Sequence, residues 1–160
     1  MSVTSINTTT FLSDSIIYIR ELLRGQISGI TGITDPISST RPSGQRFLMT
    51  LYPDRASVFP VVTIVDRGIQ NMQKGGMQSE VLILQMNLEI RVWGRNQEET
   101  DKIAQQIIDV LRDNQLSTGG MVASNAYDFS FGAMVNIPES GLEGIKSKII
   151  PISFISVIGE

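Results

Sequence analysis

Two carboxylates on predicted strands are the side chains best placed for chemistry in this sequence. Asp66 closes an apolar run, and Glu89 is followed two positions later by Arg91 on the polar side of a strictly alternating segment. Carboxylates at neighbouring strands can hold a divalent cation that activates water. Arg91 cannot give up its proton to serve as a base. Glu89 and Arg91 also fit a polar strand face that is simply solvated.

The same three residues resemble the arrangement in nucleases of the PD-(D/E)xK type. That resemblance implies a core order of helix, three strands, helix and strand, with Asp ending the second strand and Glu-x-Lys on the third. The order predicted here agrees, but Arg91 stands where the family has lysine. A Mg²⁺-dependent nuclease is therefore the alternative hypothesis, and DNA cleavage abolished by Asp66→Ala would favour it.

A second acidic group consists of Glu98, Glu99 and Asp101. It falls in the first turn of a predicted helix, where the helix dipole favours carboxylates, so we interpret it as structural rather than as a metal site. Neither GxGxxG nor GxxxxGK(S/T) occurs in the chain. We expect no catalytic residues, no metal and no cofactor.

The composition excludes several kinds of chemistry. The chain of 160 residues contains no Cys and no His. It therefore cannot build a disulfide framework, a thiolate zinc site, a cysteine nucleophile or a Ser-His-Asp triad. The formal net charge is −3, from 13 basic and 16 acidic residues, which does not favour a protein that grips duplex DNA through its phosphates.

Charge is distributed unevenly, and four basic residues in or beside two long loops are candidates for interaction. Basic residues outnumber acidic ones in 25–79, whereas acidic ones dominate 94–160. The candidates are Arg41, Arg46, Arg67 and Lys74, which could contact phosphates or an acidic protein surface. They could equally do no more than solvate the loops.

Two helices are predicted from apolar spacing and terminal signals. Ser13 is the expected N-cap of a helix that runs to Arg24 and stops at Gly25. Asn96 with Glu99 resembles a capping box for a second helix, 96–113. Before the first helix, 1–12 is expected to be a flexible arm.

Five strands are predicted, at 47–52, 59–66, 81–93, 126–137 and 146–158. The segment 25–46 is a long loop, and 67–79 is either a mobile hairpin or an extension of two strands. The expected fold is a single α+β domain spanning 1–160, with a mainly antiparallel twisted sheet of about five strands and two helices packed on one face. The predicted core contains Ile16, Leu23, Val62, Ile64, Leu88, Ile90, Ile103, Ile107, Leu111, Ile152 and Phe154.

The element order resembles that of small tail proteins of long-tailed bacteriophages. The segments that carry the likeness are FPVVTIVDRGI and LEIRVWGRNQEETDKIAQQIIDVLRDN, followed by two apolar strands. The pattern is most similar to the tail terminator, or tail completion, family and covers about residues 12–158. Its most specific part is the alternating strand ending in Val92-Trp93-Gly94, followed directly by the capped helix.

The resemblance implies a non-enzymatic virion protein that forms a hexameric ring on the tail tube. Its partners would be other copies of itself, the tail tube protein and a head-completion or neck protein, with DNA passing non-specifically through the centre. Another neck or tail ring protein, such as a head-completion protein or a tail-tube subunit, is the nearest alternative. The expected location is the virion tail-neck region, after synthesis in the host cytoplasm.

No signal peptide or membrane segment is expected. The first residues lack a basic region followed by an apolar run. The most apolar stretch, 149–158, is about half the ~20 residues that a membrane helix needs.

Overall fold

Two helices and six strands form the described part of the chain, in the order helix, three strands, helix, three strands. The helices are α1 (Phe11–Arg24) and α2 (Gln97–Asp113). The strands are β1 (Leu48–Met49), β2 (Val61–Gly75), β3 (Val81–Gly94), β4 (Tyr127–Phe131), β5 (Val135–Ile137) and β6 (Lys146–Gly159). The computed structural model describes residues 6, 10–27, 31–50, 53, 58–75, 81–115, 121, 125–137 and 144–159.

The sheet is mixed but mostly antiparallel. Its strand order is β1-β2-β3-β6-β4, and β5 also pairs with β6. All pairings are antiparallel except that of β1 with β2. The predicted α+β class is therefore confirmed. There are six strands rather than five because the predicted strand 126–137 is divided in two.

Helix α1 begins earlier than predicted. Its N-cap is Thr10, and the expected cap, Ser13, lies inside the first turn, where its hydroxyl donates to the Thr10 carbonyl at 3.2 Å. Gly25 ends the helix as predicted, with a left-handed φ of 71°. The amides of Gly25 and Gln26 return to carbonyls of the last turn in a Schellman arrangement, which satisfies carbonyls that the helix leaves open.

Helix α2 has the cap that its sequence predicts. The side-chain Oδ1 of Asn96 accepts from the Glu99 amide at 2.9 Å. The reciprocal bond is shifted by one residue, because the Glu99 carboxylate accepts from the Arg95 amide at 2.9 Å instead of that of Asn96. The cap fixes the turn that joins β3 to α2.

Strands β2 and β3 form a long hairpin. They pair from Val61 opposite Trp93 to Gly75 opposite Val81. Of the two options for 67–79, the structure therefore shows strand extension as far as Gly75, and 76–80 lie outside the described residues. A bulge separates Asp66 from Gly68, and it is closed by a 2.7 Å bond from the Gly68 amide to the Asp66 carboxylate.

The edge beside β6 is interrupted at Pro151, which divides the predicted strand 126–137 into β4 and β5. The Pro151 carbonyl accepts from the Gly132 amide at 2.8 Å, so it faces this edge. The N–H and C=O of one strand residue point to the same side, so the N–H that proline lacks would also face this edge. The segment that contains β4 and β5 therefore cannot form continuous backbone hydrogen bonds with β6 at Pro151.

The core lies between the helices and one face of the sheet. Ten of the predicted core residues are buried, but Ile16 is only half-buried. It lies at the margin of an α1 stripe centred on Tyr18, Ile19 and Leu22. From the predicted arm 1–12, Ile6 is described and is buried in the core, and residues 11–12 belong to α1.

The first predicted strand, 47–52, is shown only in part. Of the described residues 47–50, only Leu48–Met49 forms a strand, and residues 51–52 lie outside the described residues. The described residues of the loop 25–46 contain no helix or strand, as predicted.

Candidate functional site

The sheet face opposite the helices is called the open face, and it carries the odd-numbered residues of β3 and β6. On β3 these are the polar positions of the alternating segment, Gln85, Asn87, Glu89 and Arg91. Register places beside them, on β6, Ile155, Ser153, Pro151 and Ile149. The alternate positions, such as Leu88 and Ile90, are buried in the core with the helices.

The polar half of the open face is built around a buried carboxylate. Glu89 is 3% exposed. It lies 3.0 Å from Arg91 Nη2 and 3.2 Å from Arg67 Nη1. The Arg91 guanidinium lies 5.0 Å from the Trp93 ring centroid, and Trp93 Nε1 donates to the Thr63 hydroxyl at 3.0 Å. Two guanidinium groups therefore neutralise Glu89 and hold it in place.

The two carboxylates of the nuclease hypothesis do not share a face. Asp66 is paired with Leu88 and Glu89 with Val65, so adjacent positions send the two side chains to opposite sides of the sheet. Asp66 is engaged in the bulge, and Glu89 is held by arginines. Among the described residues, no group of three acidic side chains could hold a metal ion.

The other half of the open face is mainly apolar and partly exposed, and the serines Ser130 and Ser153 form a hydrogen bond within it. Tyr127 and Val135 lie opposite Ile155 and Ile149 of β6, so they belong to this face. Tyr127 is 38% exposed, Val135 50% and Val157 39%. With Met134, between β4 and β5, these are all the large exposed apolar side chains in the part of the chain that the structure describes. Tyr127 and Val157 lie towards one end of β6 and Val135 towards the other, with the hydrogen-bonded Ser130 and Ser153 between them. This edge of the face is a candidate interaction surface.

The acidic group of α2 forms ion pairs. Lys102 Nζ lies 2.8 Å from Glu98, and Lys148 Nζ lies 2.8 Å from Asp101. The hydrogen bond and charge of Lys102 lower the pKa of Glu98. Burial raises the pKa of Glu99, but bonds to the side chain and amide of Arg95 outweigh it and lower that pKa. These contacts fit the structural interpretation of the cluster.

Arg41, one of the four predicted interaction residues, binds other residues of the same chain. Its side chain is 5% exposed and binds Asp35 through Nε at 2.6 Å and Nη2 at 3.0 Å. It also donates to the carbonyls of Val58 at 2.7 Å and Pro60 at 2.6 Å, and it lies over the Phe47 ring. Arg41 therefore fastens the loop to the chain entering β2.

The other three predicted interaction residues lie in separate places. Arg46 is exposed beside a cleft at the end of α1. Arg67 is at the β2 bulge and pairs with Glu89 across the open face. Lys74 lies near the far end of the β2–β3 hairpin, opposite Leu82, and its side chain is outside the described part. The four basic residues do not form one cluster.

Two features of these candidate surfaces were not predicted from the sequence. Arg24 lines the same cleft as Arg46, although in sequence it is only a basic residue in the last turn of α1. The sequence does contain an indication of the apolar patch at Tyr127, Val135 and Val157, because β6 is apolar at both odd and even positions. Such a strand is typical of a sheet covered on both faces.

No protein-family model matches the chain, and no curated protein matches it. Neither described helix has the length and apolar content needed to cross a membrane.

Proposed function

We propose that the chain is a structural subunit of a ring that terminates the tail tube of a long-tailed bacteriophage and joins the tube to the head or neck. The proposal combines the resemblance of its sequence pattern to tail terminators with one structural observation. That observation is the exposed apolar half of the open face.

The apolar half of the open face supports assembly because β6 is built for burial on both sides. Its even positions Ile150, Ile152 and Phe154 are buried under the helices. Its odd positions include Ile149, Ile155 and Val157, which face Val135 and Tyr127 on the edge strands or lie beside them. Covering these side chains with another chain would remove apolar surface from water, which favours association.

The two edges of the sheet differ, which is compatible with a ring. One edge is the short parallel strand β1, and the other consists of β4 and β5, interrupted at Pro151. A heterologous contact joins two different patches of neighbouring copies and closes into a ring when the rotation permits. Two unlike edges provide unlike patches.

Growth of tail tubes in the presence of the chain tests this function. Purified tube protein is polymerised with and without the chain, and tube lengths and ends are measured by negative-stain electron microscopy. We expect shorter tubes with density at one end. Val135→Asp places a charge in the apolar patch and should restore long tubes, whereas Ser39→Asp, which adds the same charge on the exposed loop, should not.

Two other outcomes would overturn the proposal. Unaltered tube lengths with bare ends would mean that the chain does not terminate tubes. Polymerisation of the chain by itself into tubes would instead identify a tail-tube subunit.

A further inference from the structure

A cleft of about 430 Å³ lies where the end of α1 meets the loop 31–35 and β1. The Ile33 amide donates to the Leu23 carbonyl at 2.7 Å, which holds the loop against the helix end. Gly32 approaches the backbone at Gly25 so closely that a Cβ has no room. The cleft wall is therefore fixed by backbone contacts.

Both carboxylates that line the cleft already have cationic partners. Glu21 is 5% exposed and lies 3.4 Å from Arg20 and 3.5 Å from Arg24. Asp35 is held by Arg41 at 2.6 Å. Within the described part of the chain, neither carboxylate forms an ion pair with Arg46, the other cation that lines the cleft.

Arg46 is that remaining cation. It is exposed, lines the cleft and makes no hydrogen bond or ion pair with any residue that the structure describes. Arg24 lines the same cleft and is anchored by its Nη2 bond to the Leu48 carbonyl at 3.0 Å. Burial and the charges of Arg20 and Arg46 lower the pKa of Arg24, with Glu21 opposing. Because Glu21 and Asp35 pair with Arg20, Arg24 and Arg41, Arg46 is left as the cation of the cleft to which an anion would be attracted.

We propose that this cleft binds the carboxylate side chain of an acidic protein segment. The Arg46 guanidinium can form two parallel hydrogen bonds to a carboxylate. Apolar walls that include Ile33 and Phe47 would receive an apolar neighbour of the acidic residue. Glu21 and Asp35 also line the cleft, so a singly charged carboxylate meets less repulsion there than a doubly charged phosphate. This site goes beyond the proposed ring and does not depend on it.

Titration by ¹⁵N–¹H NMR with a short probe peptide tests the site. The probe is acetyl-Gly-Leu-Glu-Leu-Gly-amide, and its matched control has Gln in place of Glu. We expect saturable shifts at amides of 21–26, 31–35 and 46–48 with the Glu peptide and weaker binding of the Gln peptide. Arg46→Gln should weaken binding of the Glu peptide about tenfold, as for loss of one charge-assisted contact.

The control variant is Arg112→Gln, which removes an exposed arginine of α2 whose side chain is 63% exposed. It should leave peptide affinity unchanged. Because Arg46 is exposed, its variant should retain the wild-type spectrum outside the cleft. The proposal is overturned if the Gln peptide binds equally well, if Arg46→Gln has no effect, or if inorganic phosphate shifts these amides and the Glu peptide does not.

Discussion

At the scale of single residues, Arg41 joins stretches that are distant in sequence. Its guanidinium binds Asp35 and the carbonyls of Val58 and Pro60. Four donor contacts in fixed directions suit the planar guanidinium, and a lysine ammonium cannot reproduce them. The residue was predicted as an interaction candidate from its charge and loop position, and only its partners across the chain indicate an internal role.

Arg41→Ala should lower the free energy of unfolding by about 3 kcal/mol, because it leaves Asp35 without its buried partner. Arg41→Lys keeps the charge and should recover only part of that loss. Arg112→Ala, which removes the two exposed ion pairs to Asp109 and Asp113, should change stability by less than about 1 kcal/mol. Urea denaturation at neutral pH measures all three, and wild-type stability of Arg41→Lys would contradict the assigned role.

The ion pair between Asp35 and Arg41 also predicts how the stability of the fold depends on pH. Burial raises the pKa of Asp35, but the hydrogen bonds from Arg41 and the Ile37 amide, with the Arg41 charge, outweigh it and lower that pKa. A lowered pKa stabilises the fold above the unfolded value of about 4 and loses that effect as pH falls through the folded value. Asp35→Asn should therefore reduce the fall in stability below about pH 4. An unchanged slope would oppose this.

At the scale of elements, the contact between α1 and its following loop depends on Gly32. A Cβ at this position would overlap the Leu23 carbonyl and the Gly25 amide nitrogen, both of which are backbone atoms. Gly32→Ala should therefore destabilise the protein by about 1–3 kcal/mol, as overpacking does. Thermal unfolding measures this effect, and Thr31→Ala, at the exposed neighbouring position, is the control. Equal stability of both variants would contradict the close approach.

Elements with local signals were predicted well. Helix α2 has its cap and apolar stripe within its own sequence, and β3 has strict alternation, so both were predicted almost to the residue. The break between β4 and β5 could not be predicted in this way, because its cause is Pro151 on the neighbouring strand. The start of α1 was missed because Thr10 and Ser13 are both acceptable caps one turn apart.

The candidate sites depend on contacts that the sequence does not show. Arg24 and Arg46 line the same cleft only because β1 lies beside the end of α1. The sequence pattern allows Asp66 and Glu89 to share one metal site, but register sends their side chains to opposite faces. Strand periodicity gives the face of each residue within its strand, and the pairing between strands must be known before the faces can be compared.

At the scale of the whole molecule, the chain has one covered sheet face and one that is partly open. The helices bury the first, and the apolar patch at Tyr127, Val135 and Val157 remains accessible on the second. The cleft that Arg46 lines is a second candidate binding surface. A subunit that contacts its own copies through one surface and a different protein through another requires this kind of separation.

The native mass of the chain tests the central claim, self-assembly through the open face, most directly. Light scattering is measured across concentration, with and without purified tail tubes, for the wild type, Val135→Asp and the Ser39→Asp control. We predict a closed assembly of about six copies, free or on tube ends, that Val135→Asp abolishes and Ser39→Asp retains. A wild-type monomer under every condition, without binding to tubes, would contradict the account.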